Sequence, residues 1–136
     1  MSIEWYICAF KNKNEQYVPT DKILEIFSNY KIKKFTDYIE IDFGYDIVAV
    51  FFELTEDKIT NLMISRPILN DELKKLLYRI MKLGNFILYS PDGIYPIMVA
   101  KDIEKEFPDD MIEVLGDPKI AETEKEFVLL LNKGFT

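Results

Sequence analysis

The sequence predicts an α+β fold: a single domain over residues 1–136, with a mixed or antiparallel sheet of five or six strands. Two main helices lie on one face, and short helices form the C-terminal part. Three observations predict it. A chain of 136 residues sits near the commonest domain size and can bury a core without disulfide or metal staples. A composition of 49% hydrophobic and 14% aromatic residues is that of a folded chain. Stretches of period-two alternation also exchange with stretches of helical period, with no internal repeat or linker-like tract between them.

The elements follow in order. Residues 3–11, Ile-Glu-Trp-Tyr-Ile-Cys-Ala-Phe-Lys, read as a buried strand that ends in the polar loop 11–15. Pro19-Thr20 introduces a helix over 21–30, capped by Thr20 or Asp21, with Ile23, Leu24, Phe27 and Tyr30 on one face. Residues 38–43 alternate, with Ile39, Ile41 and Phe43 on one side and Tyr38, Glu40 and Asp42 on the other, as in a half-exposed strand. Residues 46–54 are apolar on both sides and predict a central strand; 62–64 add a third strand, stopped by Pro67.

The clearest helix is 71–83. Asn70 caps it, Leu73, Leu76, Leu77, Ile80 and Met81 make its apolar stripe, and Gly84 suits a left-handed C-terminal turn. Pro91-Asp92-Gly93 then turns a hairpin between 86–89 and 95–99. Asp102 and Asp109 can each cap a short helix, over 103–107 and 110–115. The last segment reads two ways. Thr123-Glu124-Lys125-Glu126 fits a capping box, yet Phe127 to Leu131 is equally a strand pattern.

Composition excludes more chemistry than it supplies. With no histidine, a Ser-His-Asp triad, a Cys-His pair and an imidazole base are impossible. One cysteine, Cys8, rules out a Cys-x-x-Cys pair, and five glycines form no phosphate-cradling loop. No cofactor is expected. An unpaired cysteine, and the lack of a signal-like or membrane-spanning stretch, point to the cytoplasm and away from a membrane. Nucleic acid is an unsuitable partner for a chain of net charge −7 with only Arg66 and Arg79 as arginines. Cys8, inside an apolar strand, reads as an inert core residue, and Trp5, Tyr6 and Tyr17 as core aromatics or interface anchors.

Carboxylates remain. Glu40, Asp42 and Asp46 straddle the Gly44 turn and are the candidates for a divalent-metal hydrolase; the plainer reading puts them on a solvated strand face. The acids Asp102, Glu104, Glu106, Asp109, Asp110, Glu113 and Asp117 differ in kind. Residues 101–126 carry four lysines against ten acids, whereas 1–34 carry six lysines against four. Phe107, Met111 and Val114 are interleaved with those acids. Such a surface suits a basic protein partner; the plainer reading has the acids capping and solubilising while Phe107 and Met111 pack inward.

In general character the chain resembles the small acidic immunity proteins that protect bacteria from their own toxins. The resemblance rests on a compact α+β domain, a missing catalytic set and the acids between Asp102 and Glu126. It implies a non-catalytic protein that binds and neutralises a basic toxin domain through its acidic surface. A structural or regulatory subunit is the other non-catalytic reading.

Overall fold

The computed structural model describes residues 4–66, 70–91 and 93–135. The chain runs β1 (Glu4–Lys11), β2 (Asn14–Glu15), β3 (Val18–Pro19), α1 (Thr20–Ile26), β4 (Lys31–Lys34), β5 (Tyr38–Asp42), β6 (Ile47–Phe51), β7 (Lys58–Ile59) and β8 (Asn61–Ser65). It continues with α2 (Asp71–Met81), β9 (Phe86–Tyr89), β10 (Ile97–Met98), a 3-10 helix (Lys101–Glu106), α3 (Asp109–Leu115), β11 (Lys119–Ile120) and α4 (Glu124–Gly134). Among the described residues, nine strands make one sheet in the order β11-β10-β9-β1-β8-β6-β5-β4, with β2 folded back on β1. Its pairings are antiparallel except β10 with β11. β3 and β7 form a separate pair.

Register sorts the side chains into two faces, because residues opposite one another across a ladder share a side. Ile7 lies opposite Leu62 and Leu88, and Val50 opposite Ile39 and Ile64. These residues, with Trp5, Ile41 and Val48, form the inner face. On it pack Ile23 and Phe27 at α1, Leu73, Leu77 and Ile80 of α2, and Phe127 and Leu131 of α4. Each such side chain, fully buried, is worth about 1.5–3 kcal/mol. A second, smaller cluster lies on the opposite face. There Phe107, Met111, Ile112 and Leu115 cover Ile87 and Met98.

The α+β class, the antiparallel character and helix α2 hold as expected. Asn70 caps α2 by accepting from the Leu73 amide at 3.1 Å. The strand number does not hold: the sheet has nine strands, not five or six, because pairing recruits short polar pieces such as β2, β4 and β11. A third long helix, α4, shares the inner face, and residues 127–131 are helical. Thr123 Oγ1 accepts from the Glu126 amide at 3.1 Å, and Glu126 turns back to the Glu122 amide at 3.3 Å. The short helices lie across the second face, at its β9–β11 end.

Smaller differences have local causes. Helix α1 stops at Ile26, because the chain must turn to enter β4. Its N-cap position is Pro19, and the Thr20 hydroxyl instead donates to the Glu56 carbonyl at 2.6 Å. Gly84 is not in the left-handed region. It makes room for Gln16, whose Oε1 lies 2.9 Å from where a Cβ would stand and accepts from the Asn85 amide at 2.7 Å. Pro67 and Asp92, read as a strand stop and a turn tip, lie outside the described residues.

Candidate interaction surface

The 3-10 helix and α3 carry six of the seven acids of the 102–117 group, with Asp117 just beyond α3, and Phe107 anchors this layer from beneath. That ring is 2% exposed and meets Phe10 edge-on at 5.9 Å. Met111 is half-buried, as expected, while Val114 is 80% exposed. The acids do not cap: the N-cap positions are Ala100 and Pro108, with no side-chain cap bond. Two acids are tied to the β1–β2 turn. Glu106 accepts from the Asn12 amide at 3.1 Å, and Asp109 pairs with Lys13. Asn12 and Lys13 carry positive φ angles of 52° and 68°, so these contacts help to hold a strained turn. The side chains of Asp102, Glu104, Asp110, Glu113 and Asp117 have no ion-pair or hydrogen-bond partner among the described residues.

The second feature is the uncovered part of the sheet. Starting at Tyr89, which packs against the cluster beneath α3, the outer face carries a row of side chains in register across five strands, Tyr89, Tyr6, Met63, Phe51 and Tyr38, continued by Phe35. Phe35 follows the end of β4 and is held by its amide bond to the Tyr38 carbonyl at 2.9 Å. Tyr6 stacks on Tyr89 (5.5 Å), Tyr38 on Phe51 (4.8 Å) and Phe35 on Tyr38 (4.3 Å), and the Lys33 ammonium lies 5.3 Å from the Phe35 ring centre. All six are half-buried, and stacking covers a face of each aromatic ring. Ile47, on the same face of β6, is 61% exposed. β6 is therefore central in the sheet, as expected, and buried on one side only.

At its middle the row adjoins a cleft of about 350 Å³. Phe51 and Met63 line both, so row and cleft are continuous. Tyr17, 64% exposed, stands on the other wall. Asp37, Glu53 and Glu56 contribute three carboxylates against one ammonium, Lys58, and no ion pair joins any of them among the described residues. Their backbone is fixed. The Glu56 and Asp57 carbonyls accept from the Thr20 hydroxyl and amide, and the Asp37 carbonyl accepts from the Phe52 amide at 3.0 Å.

The carboxylates considered for a metal site are placed otherwise. Glu40 lies opposite Lys33 and Asp42 opposite Lys31, and Asp42 Oδ1 accepts from the Gly44 amide at 2.7 Å. No group of three potential ligand residues comes together among the described residues. Cys8 sits on the outer face of β1 with its sulfur 3.9 Å from the Tyr89 hydroxyl; burial pushes its thiol up, as suits an unreactive residue. Of the three N-terminal aromatics, Trp5 is core, against Phe135 at 5.7 Å, while Tyr6 and Tyr17 belong to the row and the cleft. No described helix is long and apolar enough to cross a membrane.

The sequence marked the acids but not the row. Its members are scattered from position 6 to position 89 and meet only through strand pairing. One signal was available: β1 and β6 place large apolar side chains on both faces, more than a two-layer fold with few helices can cover. Compared with known protein families, with curated proteins and with solved structures, the chain matches none, so its own surfaces carry the reading of its function.

Proposed function

We propose that this is a non-catalytic protein-binding domain that docks a partner on its uncovered sheet face, with the acidic layer of the 3-10 helix and α3 steering the encounter. The observation that carries it is the in-register row from Tyr89 to Phe35. Folded chains seldom leave a contiguous apolar patch without a partner for it, and Tyr, Phe and Met are among the residues enriched where proteins meet. The five acids without partners form no contact that holds the fold together, and like charges this close repel one another. They do raise the rate at which a basic protein arrives. The acidic layer is the part of this arrangement that the resemblance to toxin-neutralising immunity proteins implies, with a basic toxin domain as partner. A reducing compartment such as the cytoplasm suits the unpaired Cys8 thiol.

Photo-crosslinking in the native cells tests the reading. A crosslinking residue at Tyr6 or Tyr38 in the row, or at Asp110 in the acidic layer, is expected to trap one partner of constant mass. Lys22 on α1 serves as the control and traps none. With that partner purified, reversing Asp110, Glu113 and Asp117 to Lys slows association, most at low salt. Asp109 is left intact because Lys13 holds it. Adducts at the row no more abundant than at Lys22 would overturn the reading.

A further inference from the structure

We infer that the cleft beside the middle of the row receives an arginine side chain of the docked protein, presented by an extended basic segment lying along the sheet face. The inference rests on the docking reading and names the chemistry recognised there. Charge complementarity selects the occupant. Asp37, Glu53 and Glu56 face Lys58 alone, an excess of negative charge that no ion pair of the described residues offsets. Size agrees as well, since about 350 Å³ admits one long side chain but not a folded element.

The walls decide between the two basic side chains. Phe51 and Tyr17 offer aromatic surface, and a guanidinium both lies flat on a ring and presents a fork of donors to carboxylates. An ammonium is a compact, strongly hydrated point charge that gains less from either wall. The carboxylates project from backbone already fixed by Thr20 and Phe52, so the ordering that accompanies binding is confined to side chains. Nucleic acid is the occupant this charge disfavours, despite the stacking surface of the row.

The test uses the full chain and three synthetic twelve-residue peptides in which threonine alternates with arginine, with lysine or with glutamine. Binding is followed by calorimetry and mapped by amide chemical shifts. The arginine peptide is expected to bind, with perturbations centred on Phe51, Thr60 and Met63. The lysine peptide binds more weakly, and the glutamine peptide does not bind. E53Q/E56Q weakens the arginine peptide by about fivefold or more. E113Q/D117N, an equal charge change on and just beyond α3, weakens it less than about twofold.

Four results would overturn the inference: no binding of the arginine peptide, equal binding of the glutamine peptide, perturbations confined to α3, or equal weakening by the two variants. The docking reading fails separately. Loss of crosslinking at Tyr6 and Tyr38 removes it, whereas retained crosslinking with an unaffected E53Q/E56Q variant leaves docking in place and removes the arginine cleft.

Discussion

Lys74 is 1% exposed on the inner side of α2, its ammonium donating to Asn132 of α4 and lying 3.7 Å from the Asp71 carboxylate. Taking that charge out of water costs about as much as its contacts return. Lys74→Met is therefore expected to change the unfolding free energy by less than about 1 kcal/mol, or to raise it. Asn132→Leu, which removes the acceptor and keeps the charge, is expected to cost about 1 kcal/mol or more. Urea denaturation of the two variants decides, and the opposite ranking would make the ammonium a net stabiliser. Gly134 shows the limit of space at a single residue. A Cβ there would lie 2.6 Å from Tyr95 Cζ, on a ring whose hydroxyl already donates to the Leu130 carbonyl at 2.8 Å. Gly134→Ala should destabilise by about 1–3 kcal/mol through overpacking, and an unchanged urea midpoint would show that Tyr95 is free to move.

Helix α4 depends on its first turn. Thr123→Ala removes the acceptor for the Glu126 amide and should lower stability by about 1 kcal/mol, read as a fall in the denaturation midpoint at constant slope. Thr123→Ser keeps the oxygen and should recover most of it. The same helix shows what a sequence discloses about elements. Helix α2 was legible because its stripe, its cap and its acidic first turn agree. Residues 127–131 were ambiguous because a five-residue apolar run carries no period, and only the cap distinguished helix from strand. Strand β4, Lys-Ile-Lys-Lys, has one apolar residue in four, so nothing local marks it; its pairing with Lys31 opposite Asp42 and Lys33 opposite Glu40 does. Strands β2, β3, β7 and β11 have two residues each and exist only as partners. As for the site, the acids were visible as a run of charge, whereas row and cleft needed register, which depends on contacts between distant segments.

Across the whole molecule, the outer face leaves its mark on pH dependence. Burial pushes Cys8 up from 9.0, and burial together with the neighbouring Cys8 pushes Tyr89 up to about 12 from 10.0. Both groups hold their protons more tightly in the folded chain. That contribution is fully present below pH 9 and is lost as the pH rises through the folded values. The denaturation midpoint is expected to fall between about pH 9 and pH 12. Phenolate absorbance should show several tyrosines ionising above the usual range, and Tyr89→Phe should remove a step near pH 12. A midpoint level over this range would mean that the face opens before these groups titrate.

The nine-stranded sheet also has ends. At one, Lys31, Lys33 and Lys34 stand exposed on β4; at the other, β11 is two residues long. Cationic or very short borders keep one sheet from stitching onto the next. On the proposed docking reading, a visitor has little backbone to pair with and must be recognised by the side chains it brings. That favours discrimination between closely related proteins over tolerance of any extended strand, and it lets an aromatic surface stay open in a concentrated solution without seeding fibres.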